Sequence, residues 1–406
     1  ANIVSYGKDQ IEAEQIADSI FMLTDVSNAY LVNTADGHVL INAGTSTQQE
    51  RNRSAFEAVA EGERKYIIIT QSHPDHFGGA ARMADPETKT VADRRFPDVL
   101  AYYERIAPYG DKRLIQLWEP ILGSQMNEIR DYGSFHPDLL VDGKMDLTVG
   151  DTRFSVYSTP GGETRDALIV HLPDQSTVFS GNLFGPAWHN LPNLYTIRGD
   201  KIRSALEYVR SLELVRSLDA ETLITGHGAP IHGRETIDTA LTKMRDAVLW
   251  IHDQTVAGMC AGKDLHTLMR EIELPSHLND VGHMHGKTSW NVRAIWTEYI
   301  GWFEFRSTTE LYEVPATSIA GDVLEWAGGS GAVLDRAHDH IAAERPLEAM
   351  YLIEMVRAAE PQNLSAVEVE KTALEKQLER IDGENLSEMM WLKSQILAAD
   401  RRLGKA

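Results

Sequence analysis

The sequence predicts a layered α/β fold over residues 1–310 followed by an all-α segment over 311–406. Three observations carry that expectation. Short β-branched runs alternate with turns and helical stretches as far as Thr225. The strand pattern then stops, from about Arg234 onward. After Pro315 the chain is rich in Ala and Glu to its end, as helices are.

Taken in order, Ser19 to Thr24, Ala29 to Asn33 and His38 to Asn42 read as strands, the last two joined by the turn Ala35-Asp36-Gly37. Ser46 to Glu61 is polar, with Phe56, Val59 and Ala60 at helical spacing. Tyr66-Ile67-Ile68-Ile69-Thr70 is a continuous β-branched run, the pattern of a strand buried on both faces. Residues 92–132 form a helical insert carrying Tyr102, Tyr103, Tyr109 and Trp118. Strands resume at Met145 to Val149, Arg153 to Ser158, Ala167 to Leu172 and Thr177 to Ser180. A helix from Lys201 to Leu214 precedes the strand Thr222 to Thr225. Ile237 to Met259 and Ser289 to Phe305 read as long helices. Ala332 to Ala343, Pro346 to Ala359 and Ala366 to Arg380 read as stacked helices with a small-residue pattern similar to tetratricopeptide units. Too few units fit for an independent solenoid, so this block is expected to bury its face on the first domain or on a second chain.

The 406 residues include 39 Lys+Arg and 60 Asp+Glu, and 39 − 60 gives a net charge of −21. That balance excludes nucleic acid, whose phosphates need clustered cations, and disfavours an anionic membrane surface. No run approaches the ~20 apolar residues of a membrane span. The single cysteine, Cys260, rules out an intrachain disulfide and a Cys-based zinc knuckle, and is expected to be buried and inert. Any metal must therefore be held by His and carboxylates. Ala1 to Ser5 lacks the basic and apolar parts of a secretory leader, which gives the expectation of a cytoplasmic protein, or a periplasmic one if a leader was removed before Ala1.

The strongest chemical signal follows the buried strand: Thr70-Gln71-Ser72-His73-Pro74-Asp75-His76-Phe77-Gly78-Gly79. Two imidazoles and a carboxylate on one loop at a strand end can converge on a borderline metal such as Zn²⁺. Three further strand ends carry similar chemistry: Thr159-Pro160-Gly161-Gly162-Glu163-Thr164, Phe179-Ser180-Gly181-Asn182 and Thr225-Gly226-His227-Gly228. Leu40-Ile41-Asn42-Ala43-Gly44 closes a hairpin in the same manner. Each piece alone is ordinary turn chemistry.

Their order and spacing together resemble the metallo-β-lactamase superfamily over about residues 15–235. The resemblance implies an αβ/βα sandwich with a metal site on one edge. It assigns His73, Asp75, His76 and His227 as ligands and puts Gln71 where the family motif His-x-His-x-Asp-His begins. It makes Glu163 the ligand of the Thr-Pro-Gly turn and leaves no acid at the bridging position near Gly181-Asn182. His189-Asn190-Leu191, Asn193 to Gly199, Asn291-Val292-Arg293-Ala294 and Gly301-Trp302-Phe303 narrow the resemblance to the zinc-dependent alkylsulfatases. The helical tail is similar to their dimerisation domain, which implies a homodimer, and their sterol-carrier-like domain has no counterpart before Ala406. The bridging acid of that family falls on Gly181, and its sulfate-contacting His on Trp290.

The resemblance implies a metal-dependent hydrolase of an ester-like substrate, most closely a sulfate ester. It leaves one half-site intact (Asp75, His76, His227) and the other altered (Gln71, His73, Glu163). It thus implies one Zn²⁺ held tightly and a second weakly or not at all, with two Zn²⁺ or another divalent metal as the alternatives. Asp75 would orient and deprotonate the attacking water. Arg198, His189, Asn182 and Trp290 would contact a small anionic substrate with an apolar tail. A structural salt bridge is the alternative for Arg198; for His283 and His285 in Gly282-His283-Met284-His285-Gly286 a solvated loop is the preferred reading, with substrate contacts or an extra ligand as the alternative. Tyr102, Tyr103, Trp118, Trp290 and Trp302 are candidates for an apolar pocket, with plain core as the alternative. Three other readings stay open: a catalytically degenerate ligand-binding relative, a lactonase or phosphoesterase on the same fold, and a mononuclear iron or manganese enzyme.

Overall fold

The computed structural model describes residues 10–122 and 135–405. The part of the expected helical insert at 123–132 lies outside them. The chain divides into two compact units, residues 1–112 with 124–299 and residues 113–123 with 300–406.

The first unit is built on two sheets. One runs in sequence order through β1 (Glu14–Ala17), β2 (Ile20–Leu23), β3 (Ala29–Thr34), β4 (Gly37–Ile41), β5 (Arg64–Ile68), β6 (Lys89–Asp93) and β7 (Leu139–Val141). Its first four strands are antiparallel, and β4 to β7 are parallel. The other has the order β13-β12-β11-β10-β9-β8, from β8 (Lys144–Val149), β9 (Thr152–Ser158), β10 (Leu168–Leu172), β11 (Thr177–Gly181), β12 (Thr222–Thr225) and β13 (Ile231–His232). Only β11 and β12 pair in parallel there.

Alternation along the strands sorts side chains to two faces. Tyr30, Val32, Val39, Ile41 and Ile68 of the first sheet meet Phe154, Val156, Val170, Phe179 and Ile224 of the second in one buried core. Leu31, Leu40, Ile67 and Ile69 face the other way, onto Phe56 of α1 (Gln49–Glu57), Phe77 of α2 (Pro74–Phe77), Met83 of α3 (Ala80–Met83) and Phe96 of α4 (Phe96–Leu122). The β5 run is thus apolar because both of its faces are covered, as its composition predicts. Buried Tyr208 and Leu212 lie on α5 (Ala205–Ser217), and Leu241, Met244 and Ile251 on α6 (Arg234–Cys260). Two shorter helices, α7 (Leu265–Glu271) and α8 (Thr288–Ile300), follow.

The second unit contains α9 (Ala320–Ala327), α10 (Ser330–Ala342), α11 (Pro346–Ala359), α12 (Leu364–Arg380) and α13 (Leu386–Arg402). Leu334, Ala337, Ile353, Val356, Val369 and Ala373 form a core of its own. The expectation that this block buries its face only elsewhere is therefore corrected: the small residues are used between its own helices. Two further expectations change. Cys260 is exposed, because it ends α6 just before the Gly262 turn. Trp302 is 74% exposed in the second unit, neither core nor enclosed by it. Among the described residues, no helix is long and apolar enough to cross a membrane.

Candidate metal centre

The centre is assembled at the ends of β4, β5, β11 and β12. β5 delivers the loop from Thr70 to His73, and Pro74 at the first position of α2 starts a helix that carries Asp75 and His76. At the end of β4, Asn42 adopts a left-handed backbone, φ 61°, a conformation Asn tolerates better than most residues. Its side chain accepts from the Thr70 amide at 3.0 Å and lies 3.0 Å from His76 Nδ1. Thr70 Oγ1 sits 3.2 Å from the same nitrogen. Those contacts fix the ring and direct its other nitrogen, Nε2, toward Asp75 Oδ2 at 3.6 Å. His227 arrives on the turn after β12, held by Thr225 Oγ1 donating to its carbonyl at 2.5 Å. A Cβ on Gly226 would lie 2.1 Å from Asn182 Oδ1 and 3.1 Å from His76 Cε1, so only glycine lets these elements close up.

One ligand atom from each of Asp75, His76 and His227 lies within 4.8 Å of the others. Burial pushes His76 down to about 3 and His227 down to about 4, so both imidazoles are neutral and able to ligate near pH 7. His76 Nε2 is buried and makes no hydrogen bond among the described residues. A buried, unpaired imidazole nitrogen facing a carboxylate is costly without a ligand and suited to a cation. Two neutral imidazoles and one carboxylate are the donor set that zinc and similar divalent metals accept. The residues present fit the metal.

The residues expected as the other half of a two-metal site are arranged differently. The Gln71 amide is fully buried, with Nε2 2.8 Å from His73 Nδ1. Glu163 is buried in a charge network, not open to solvent. Arg198 Nη2 lies 3.1 Å from its Oε2, Arg203 Nη2 lies 3.9 Å away, and His285 Nε2 contacts Oε1. Asp200 completes the network, 3.2 Å from Arg198 and 3.1 Å from Arg203. Burial alone would raise Glu163, yet His285, Arg203 and Arg198 hold it well below the usual carboxylate value. His73 Nδ1 stands 3.8 Å from Glu163 Oε2.

Of the expected substrate contacts, Asn182 is turned onto His227, its Nδ2 3.2 Å from Nε2. Arg198 is both an ion-pair partner and, through Nε and Nη1, a source of N–H donors without a hydrogen bond among the described residues. His189, in a left-handed turn with φ 61°, accepts at its carbonyl from Gly282, and burial lowers its ring, with Asp280 and Lys243 as its charged neighbours. Trp290 is half-buried on α8 beside Lys287. The structure joins neither residue to the metal ligands by a hydrogen bond or ion pair. The solvated-loop expectation for His285 is corrected, since its ring is buried on Glu163. A cleft beside Glu163 is lined by Tyr102, Tyr103, Arg95, Arg165 and Lys201, with Lys201 Nζ 4.7 Å from the Tyr102 ring centre.

Residues 23–227 match the metallo-beta-lactamase superfamily model, and residues 265–393 match the alkyl sulfatase dimerisation model. A linear primary-alkylsulfatase of a Pseudomonas species is 28% identical over 342 residues, covering 76% of this chain and 62% of the relative. An alkyl/aryl-sulfatase of Saccharomyces cerevisiae is 23% identical over 390 residues, covering 89% and 60%. This chain thus spans about three fifths of the length of these relatives. The solved structure of a stereoselective inverting sec-alkylsulfatase from a Pseudomonas species superposes with a TM-score of 0.83 at 20% identity, covering 100% of this chain and 68% of that one, a likeness of fold. With half of its length, residues 23–227, under one family model, this chain belongs to the metallo-beta-lactamase superfamily.

Proposed function

We propose that this chain is a zinc-dependent hydrolase of alkyl sulfate esters, acting at the Asp75–His76–His227 centre. The observation that carries the reading is the convergence of those three side chains, with His76 Nε2 buried and unpaired. The substrate class rests on the alkylsulfatase relatives and the dimerisation match.

A divalent metal, when bound, supplies Lewis acidity: it acidifies water and draws negative charge from an ester oxygen. The chain's own groups do the rest. Asp75 keeps its side chain partly open to solvent while Oδ2 faces His76, a position from which it takes the proton of the attacking water. Arg198 offers the planar N–H fork that suits a sulfate oxyanion. Tyr102 and Tyr103 give the cleft apolar walls for an alkyl tail, and its charged lining sets Arg95, Arg165, Lys201 and Arg203 against Asp98, Glu163 and Asp200. Asn182 acts on His227 as a positioning residue.

A second reading, a ligand-binding relative without turnover, is favoured by Gln71 at the first motif position and the absence of an acid at Gly181. A substrate panel separates the two. The expected outcome is inorganic sulfate release from a primary alkyl sulfate, with kcat falling at least ~100-fold in Asp75→Asn. Turnover of lactones or phosphomonoesters alone would move the substrate class, and no turnover of any ester would leave the binding reading. The homodimer is part of the same proposal, supported by exposed apolar side chains in the second unit: Trp302, Phe305, Trp326 and Tyr351 are 68–85% exposed.

A further inference from the structure

We propose that this chain holds one metal ion, not two, and that the Arg198 guanidinium takes the place of the second cation against Glu163. The inference rests on the Asp75–His76–His227 reading above and deepens it.

The two halves of the site differ in charge. Around Asp75, His76 and His227 there is one carboxylate, a buried His76 Nε2 without a hydrogen bond, and no guanidinium hydrogen-bonded to them among the described residues. That half needs a cation. Around Glu163 the account is already balanced: Glu163 and Asp200 face Arg198 and Arg203 at 3.1–3.9 Å. A dication placed there would meet two guanidinium charges in a buried setting, where repulsion is least screened. Both oxygens of Glu163 are held, Oε2 by Arg198 and Oε1 by His285, whereas Gln71 turns only its Nε2 onto His73 Nδ1 and leaves Oε1 buried without a hydrogen bond among the described residues.

The bridge between two metals is excluded by the backbone. Gly181 has φ 50°, and a Cβ there would lie 2.7 Å from both Cβ and Oγ1 of Thr70. Thr70 cannot move aside freely, since its hydroxyl bonds Asn42 and faces His76 Nδ1. The contact that orients the ligand of the first metal thus forbids an acid that would share a second.

The test is metal stoichiometry, measured by elemental analysis after saturation with excess zinc and desalting. Wild-type protein is expected to retain one equivalent per chain. Two equivalents would overturn the inference while leaving the hydrolase reading standing, and none would overturn the hydrolase reading itself. The role of Arg198 is tested in Gln71→His, which restores an imidazole at the first motif position. That variant alone is expected to stay at one equivalent, as is Gln71→His with Arg198→Lys, which keeps the charge. Gln71→His with Arg198→Met is expected to reach two. Two equivalents in Gln71→His alone, or one in the pairing with Arg198→Met, would show that Arg198 is not what stands in the second cation's place. Circular dichroism on each variant confirms that the fold is kept.

Discussion

His76, a ligand in the proposed centre, is oriented by residues that would not touch the metal themselves. Asn42 and Thr70 occupy Nδ1, so Nε2 is the nitrogen left for a cation. Asn42→Ala is expected to leave the fold intact and weaken zinc affinity by about 10–100-fold, read by competition with a chromophoric chelator. Asp166 offers a second test at this scale. Burial raises it to about 6, against the Ser72 hydroxyl that favours its charged form at 3.1 Å. Its folded pKa lies above the unfolded value, so the native state binds the extra proton between about pH 4 and pH 6 and loses stability as pH rises through that window, by about 3 kcal/mol. Asp166→Asn is expected to flatten that slope in denaturant titrations at several pH values. A slope unchanged by the substitution would count against the burial argument. Legibility at this scale follows sequence distance. His73, Asp75 and His76 are readable because they share one loop, whereas the partnership of His285 with Glu163 is made by folding and leaves no local mark.

Among the elements, β5 and the polar β8 are readable in the sequence, whereas β1, β6, β7 and β13 are not. Tyr66 to Thr70 announces β5 because both faces are covered. Lys89–Asp93 forms β6 although both of its ends are charged, since its place is set by pairing with β5 and β7. The short β1, with Glu14 and Gln15 facing solvent, is likewise an edge strand fixed by its neighbour. The end of β11 gives a sharp prediction: Gly181→Ala is expected to cost about 1–3 kcal/mol from its positive φ and the Thr70 contact together. Chemical denaturation checks it, and an unchanged midpoint would mean that β11 and β5 can separate at no cost.

At the scale of the whole molecule, the sequence predicts a layered domain and a helical tail, and both are present. What the sequence leaves open is the tail's own core, because small residues between helices look the same whether the partner is the same unit or another. The apolar side chains exposed on that unit predict a dimer in analytical ultracentrifugation of the full chain. Trp326→Asp together with Tyr351→Asp is expected to shift it to monomer with helical content unchanged. A dimer that survives both substitutions would place the interface elsewhere. Four cations against three acids set the cleft apart from a chain of net charge −21, and added salt is expected to weaken binding of an anionic ester there.

The measurement that tests the account most directly is sulfate release from a primary alkyl sulfate by chelator-treated protein, before and after zinc is added back. The account predicts no release from the metal-depleted chain, recovery on adding zinc, and no recovery in His227→Ala. Release that survives chelation, or a zinc-loaded chain that leaves the ester intact, would contradict it.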